Sequence, residues 1–245
     1  MGFTRVLQRG MSGDDVQLLQ IKLAGFRGTV PDGQFGPGTE LQVHQFQQDF
    51  MKIAPTGVVD KTTSDAIDAF AKKYPLDFSQ LKCKCGKCSG FGNGLHKGEY
   101  KAGKPKLELY HLYEYPGIHK MTLWAVRAIF FYHPQYSFMF TSGYRCEQDN
   151  LQNGRTSTNH RGKATDIDVP LKTGQTKLND MQRCDQIRGK MVEMGYFQIG
   201  WDAANRKSFE PSNIAPTWVH LDCRQYDPKY LDDRFFVKTL ADLDA

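Results

Sequence analysis

Three short stretches in the second half of this 245-residue chain hold the residue types that could do chemistry. They are Thr141-Ser142-Gly143-Tyr144-Arg145-Cys146, then Ser157 through Val169 with His160, Asp166 and Asp168, and finally Trp218-Val219-His220-Leu221-Asp222. In the second stretch a strand over 164–169 would turn Asp166 and Asp168 to one face, and Thr165, Ile167 and Val169 to the other. In the third, Trp218, His220 and Asp222 share a face by the same alternation. If both faces meet in one cleft, His160, His220 and one aspartate make a three-ligand zinc site with a fourth position left for water. Such a site lowers the water's pKa to about 7. Arg145 would supply charge near a developing oxyanion or grip a substrate carboxylate in its fork. Spacing alone also allows a plainer arrangement, a structural histidine–aspartate hydrogen bond.

The six cysteines admit several readings. Cys83, Cys85 and Cys88 are too closely spaced for comfortable mutual disulfides, and they suit thiolate coordination with Cys146, His96 or His111 as a fourth ligand. Disulfides and free thiols remain the alternatives. Other nucleophilic chemistries find no support: there is no Gly-x-Ser-x-Gly turn for a serine hydrolase and no arrangement for Cys-His catalysis.

These residues need elements to position them. Residues 4–72 read as a helical unit. Val16, Leu19 and Leu23 stripe a first helix over 14–24; Thr39 opens a second, with Gln42 completing a capping box and Val43, Phe46 and Phe50 as its stripe; a third starts near Thr62 and buries Ala66, Ile67 and Phe70. Pro75 ends it. After an irregular stretch over 75–110, a helical pattern returns from Ile118 to Tyr132, followed by a strand from Tyr136 to Thr141. The organisation expected is therefore a helical domain over 1–75, a basic, cysteine-containing connector over 76–110 and an α+β domain with an antiparallel sheet over 111–245.

Composition narrows the function classes. The aromatic content, 12%, excludes disorder as the main state. The most apolar run, Leu123 to Tyr132, is interrupted by Arg127 and falls far short of the roughly 20 residues a membrane helix needs, so no membrane insertion is expected. The first residues, Met1-Gly-Phe-Thr-Arg-Val6, lack the apolar region of a secretory leader. The net charge of +5 arises outside residues 1–76, and Lys82 to Lys106 holds seven lysines against Glu99. That stretch reads as a solvated connector or as an adhesive for an acidic polymer of the cell envelope; with no nucleic-acid motif beside it, nucleic acid is not an expected partner.

The first unit resembles a known family. The order Leu7-x-x-Gly10-x-x-Gly13-x-x-Val16-x-x-Leu19-Gln20, then Asp32-Gly33-x-Phe35-Gly36-x-x-Thr39, Phe46-Gln47 and Thr56-Gly57-Val58-Val59-Asp60 is similar to the peptidoglycan-binding domain of bacterial and phage wall hydrolases. The Ser142-Gly143-Tyr144-Arg145 strand, the His160-to-Asp166 stretch and Trp218-x-His220 resemble a zinc metallopeptidase superfamily. It contains D-Ala-D-Ala carboxypeptidases and dipeptidases, L-alanyl-D-glutamate endopeptidases and the hedgehog domain. The resemblance implies His160, Asp166 and His220 as metal ligands, Arg145 as the arginine for substrate or transition state, and Tyr144 and Trp218 at the substrate. The segment Lys82 to Cys88 is also similar to a cysteine-rich stretch that precedes the catalytic core in one branch of these enzymes.

The chain departs from that pattern in two places. Ser157 stands three residues before His160 and Asp166 six after it, where two and seven are commoner; Gly162-Lys-Ala164-Thr-Asp166 favours Asp166 over Asp168. The position of the relatives' acid/base, three residues before the second histidine, is Thr217. Asp222 is the replacement candidate from its face, with Asp202 and Glu210 behind it; the alternative for Asp222 is a partner that orients His220. The resulting expectation is a monomeric peptidoglycan hydrolase with one catalytic zinc and a possible second, structural zinc. It would cut an L-Ala-D-Glu or D,D stem-peptide bond, be made in the cytoplasm and act on the wall, after release as an endolysin or injection as a secreted effector. The rivals are a D,D-carboxypeptidase and a non-catalytic wall-binding component of a phage tail or envelope.

Overall fold

The structure, a computed structural model, describes residues 2–28, 30–96, 112–171, 178–194, 197–200, 208–223 and 228–245. Three helices open the chain, α1 (Asp14–Lys22), α2 (Pro37–Phe46) and α3 (Lys61–Lys73). Helix α2 begins two residues ahead of the expected Thr39 because Pro37, with its fixed φ and missing N–H, suits the first helical turn. Thr39 and Gln42 form no capping box; they tie α2 to α1. Gln20 Nε2 donates to Thr39 Oγ1 at 2.9 Å, and Gln42 Nε2 donates to the Gln20 and Leu23 carbonyls. Asp60 caps α3 by accepting the Thr63 amide at 2.8 Å. Val16, Leu19, Leu23, Val43, Phe46, Ile67 and Phe70 fill the interior between these helices.

The rest of the chain is mixed helix and sheet. In order come α4 (Phe78–Leu81), β1 (Ile118–His119), α5 (Lys120–Tyr132), β2 (Met139–Ser142), α6 (Glu147–Gln152), β3 (Ala164–Asp168), α7 (Asp180–Glu193), β4 (Trp218–Asp222), β5 (Phe236–Val237) and α8 (Leu240–Asp244). Strands β2, β3 and β4 form an antiparallel sheet with β3 in the middle, and β1 pairs with β5. Helix α7 was not foreseen from sequence. Its signal was present: Asn179 and Gln182 form a capping box, and Cys184, Ile187 and Met191 make the buried stripe.

The two parts share one core, centred on α5, where every residue from Met121 to Ile129 is buried. A helix apolar on all sides is packed on all sides. Phe130 stacks on Phe138, 4.5 Å away between ring centres, toward the sheet. Phe131 and Tyr132 meet Phe26 at 5.7 Å, and Trp124 stacks on Phe70 at 6.3 Å, toward the first bundle. Arg127 Nη2 bridges to Asp244 at 2.6 Å, and Tyr132 donates to Asp49 at 2.5 Å. The connection between the parts is therefore a packed interface rather than a tether. No helix among the described residues is long and apolar enough to cross a membrane.

Candidate metal centre

Register places the first two groups. Asp166 in β3 stands opposite His220 in β4 and Ser142 in β2, so one row of side chains crosses three strands. An irregularity between Phe140 and Ser142 adjusts β2 at this point. His160 arrives from the turn before β3. Gly162 in that turn has φ +105°, and a Cβ there would strike the Gly117 carbonyl, so the turn can close only around glycine. The closure is fastened twice: His160 Nδ1 donates to Gly143 O at 2.8 Å, and the Arg145 amide donates to His160 O at 2.8 Å.

These partners assign the protons. A carbonyl only accepts, so His160 carries hydrogen on Nδ1 and presents a bare lone pair at Nε2. That nitrogen is buried, has no hydrogen bond, and faces Asp166 Oδ2 at 3.2 Å. On the other side, His220 Nε2 lies 3.0 Å from Asp222 Oδ2 and 3.7 Å from Glu210 Oε1, and Nδ1 lies 2.7 Å from Asp166 Oδ1, so carboxylates face both ring nitrogens. With the proton of His220 held at Nε2 by Asp222, two imidazole lone pairs would converge on one carboxylate, a cluster of acceptors suited to a cation. The three ligand atoms lie within 4.8 Å of one another. Two nitrogens and a carboxylate oxygen suit zinc.

The electrostatics agree. Burial works against charge on His220, but its hydrogen bonds to Asp166 and Asp222 outweigh that and push the imidazole up to about 9. Burial pushes His160 down. Burial would also raise Asp166, yet the two flanking histidines hold its carboxyl well below the usual carboxylate range. A proton and a metal ion are alternative answers to the same negative focus.

Next to this cluster, through Ser142 and Gly143, lies a cavity of about 380 Å³ lined by four cations, Lys82, Lys84, Arg145 and Arg155, and one acid, Asp149. Arg145 Nε is buried without a hydrogen bond, and burial lowers the guanidinium's pKa. Trp218 is half-buried on the His220 face of β4, two residues from the histidine.

Other expectations need correction. Asp222 does share the His220 face, but its side chain has no exposure and sits against the far nitrogen of the ring, turned away from Asp166 and His160. That is the place of a partner to the His220 ring rather than of a group facing the three ligand atoms. Tyr144 borders the cavity, but it is 2% exposed and its hydroxyl donates inward to Tyr115 O at 2.9 Å, so that hydroxyl is not offered to a ligand. Asp168 keeps apart from the three ligands; Thr141 donates to it at 3.3 Å, and it lines a separate cavity with Thr217. His119 is buried as the N-cap of α5 with Nε2 on Tyr230 O.

Sequence reasoning gave no placement for Glu210, and the structure supplies one. Ser208 O accepts the Asp222 amide, and Phe209 bridges to Leu221, so 208–210 runs as an extra edge beside β4. Phe209 turns to the core with Leu221, which leaves Glu210 beside His220 on the other face. Asp202 and His111 lie outside the described residues.

The comparisons with known proteins bear on the first bundle most directly. Residues 12–67 match the family described as putative peptidoglycan binding domain. The segment covers α1, α2 and most of α3. A zinc D-Ala-D-Ala carboxypeptidase of Streptomyces albus G is 40% identical over 65 residues, 25% of this chain and 25% of that protein. The chain therefore matches about a quarter of the length of that curated relative.

Proposed function

We propose that this chain is a zinc-dependent peptidoglycan peptidase that hydrolyses an amide of the stem peptide. The observation that carries the reading is the meeting of His160 Nε2, Asp166 and His220 Nδ1 beside a cationic cavity. The bundle matched to a peptidoglycan-binding family supports the wall as the surface on which it works. The partial likeness to a zinc carboxypeptidase supports the chemistry.

A zinc ion held by these three ligands would polarise the scissile carbonyl and make water a nucleophile near neutral pH. The chain's own groups do the remainder. Arg145 meets the oxygen on which negative charge develops, or a carboxylate of the stem, with a guanidinium that has no hydrogen bond at Nε to give up. Glu210, whose carboxylate lies next to His220, carries the proton to the leaving amine nitrogen. Asp222 is a positioning residue that fixes the tautomer of His220. Trp218 offers an apolar surface along the same face. The first bundle raises the local concentration of wall at the cavity.

The bond cut is L-Ala-D-Glu or a D,D-peptide bond within the cross-linked wall. The cationic wall of the cavity also favours a second reading, a D,D-carboxypeptidase whose substrate ends in a carboxylate. Digestion of purified peptidoglycan, followed by mass spectrometry of the soluble fragments and counting of new amino groups, tests both. Release of new stem-peptide amines supports the peptidase; loss of a single terminal alanine selects the carboxypeptidase. Intact wall after incubation with the zinc-loaded protein would leave a binding protein with a structural metal site.

A further inference from the structure

Away from the centre above, four sulfurs come together. Cys83, Cys85 and Cys88 follow α4, Cys146 is the N-cap of α6, and their Sγ atoms all lie within 4.8 Å of one another. Cys146 Sγ is 3.6 Å from Cys83 and 3.5 Å from Cys85. A disulfide needs about 2.05 Å and joins only two of the four. Zinc in a tetrahedron of thiolates, with Zn–S near 2.3 Å, sets its sulfurs about 3.8 Å apart.

The backbone is arranged for charged sulfur. Each Sγ faces one amide N–H: Cys146 N toward Cys83 at 3.5 Å, Lys87 N toward Cys85 at 3.3 Å, Gly90 N toward Cys88 at 3.3 Å, and Asp149 N toward Cys146 at 3.4 Å. The turn Cys85-Gly86-Lys87-Cys88 folds tightly because Gly86 has φ +69°. Four thiolates around a divalent ion leave a net charge of −2, and the sequence intersperses Lys82, Lys84 and Lys87 among the cysteines, with Arg145 next to Cys146. Three of those cations, Lys82, Lys84 and Arg145, are the ones that line the cavity.

We propose that Cys83, Cys85, Cys88 and Cys146 bind a structural zinc ion as four thiolates, and that this chelate holds the cationic wall of the cavity in place. It joins two segments about sixty residues apart in the chain, alongside the Tyr144 amide's bond to Leu81 O at 2.7 Å. The metal stands on the sulfur geometry alone; its effect on substrate rests on the peptidase reading above.

The full-length protein, purified without chelator, should contain two zinc ions per chain. His220→Ala should lose one and retain the other. Cys85→Ser/Cys88→Ser should lose the other and retain the first. Cobalt-loaded wild type should show a strong thiolate-to-cobalt charge-transfer band that persists in His220→Ala and vanishes in the cysteine variant. If that variant does not fold, titrating native wild-type protein with a mercurial reagent decides the matter: release of one zinc as four thiols react supports the site. A single zinc per chain in wild type, no thiolate band with cobalt, or disulfides found by non-reducing mass spectrometry would overturn it. On a soluble stem peptide, the folded cysteine variant should show kcat/KM lowered about tenfold, the equivalent of one lost charged contact. Loss of the metal with kcat/KM unchanged would overturn the positioning role and leave the metal site standing.

Discussion

Asp166 and His220 face each other across the β3–β4 pair, with Oδ1 and Nδ1 2.7 Å apart. The contact is a product of register. Side chains alternate with period two, so a slip of one residue in either strand would send His220 into the apolar layer and bring Val219 or Leu221 up to the carboxylate. The Asp222 amide's bond to Ser208 O and the bridge of Phe209 to Leu221 fasten the outer side of β4 and resist that slip. The centre is thus specified by the sheet and completed by one turn, the one that delivers His160.

Because each of His160, Asp166 and His220 supplies one ligand atom, removing either imidazole leaves two, and two protein ligands seldom hold zinc. His160→Ala and His220→Ala should each lose the catalytic metal, with the far-UV circular dichroism of wild type. Metal analysis after dialysis checks this, and an unchanged zinc content in both variants would refute the assignment of ligands.

Asp222→Asn separates positioning from proton transfer. An orienting partner tunes the basicity and tautomer of its histidine, so its loss should weaken zinc affinity by about 10–100-fold. Turnover at saturating zinc should fall much less. Competition with a chelator of known affinity measures the first quantity. If affinity stays at the wild-type value while turnover collapses, Asp222 is moving protons after all.

Glu210→Gln should do the reverse. An amide nitrogen must be protonated to leave, and a positioned acid contributes roughly 10²–10⁴-fold. Turnover should drop by at least about 100-fold with zinc content unchanged. Activity near that of wild type would pass the proton to a different group.

Much of the centre was legible in the sequence, because alternation and motif spacing report which face a residue occupies. Strands β3 and β4 fall at 164–168 and 218–222, and their polar faces were read correctly. What alternation cannot report is depth and orientation. Asp222 shares the face of His220 yet lies behind its ring, and Tyr144, next to Arg145, points into the core. Glu210 needed the long-range pairing of Phe209 with Leu221 to be placed at all. The shared core was hidden for a similar reason: Phe26 lies past the end of α1 and belongs to no stripe, and its partners Phe131 and Tyr132 are about a hundred residues away.

That shared core has a test at Gly25. A Cβ built there would overlap Ala128 Cβ and press on the α5 backbone at Ala125, so α1 and α5 approach as closely as they do because position 25 has no side chain. Gly25→Ala should destabilise the protein by about 1–3 kcal/mol through overpacking. Deleting residues 1–75 should be worse, exposing Trp124, Phe131 and Tyr132. Thermal melts and solubility measure both; a truncated protein that is monomeric and as stable as the remainder of wild type would show that the interface contributes nothing.

The pH dependence of stability has an identifiable contributor in His119. Its Nε2–H donates to Tyr230 O at 2.8 Å, and its Nδ1 accepts the Met121 amide at 3.3 Å, so both nitrogens are satisfied in the neutral ring. A second proton would have to sit on Nδ1, against an N–H donor and out of water. Burial accordingly pushes the imidazole down to about 4. In the unfolded chain the same group titrates near 6.5. Between those two values the unfolded state binds the extra proton and the folded state does not, so stability falls as pH falls from about 6.5 to about 4, at up to about 1.4 kcal/mol per pH unit. Above about 6.5 the ring is neutral in both states and contributes no slope. His119→Gln, which retains a donor toward Tyr230 but cannot ionise, should be less stable than wild type at pH 8. Its loss of stability on acidification should be shallower by about one proton's worth. Urea denaturation at a series of pH values between 4 and 8 measures the two slopes, and identical slopes would mean that other buried groups, such as His133, carry the acid sensitivity.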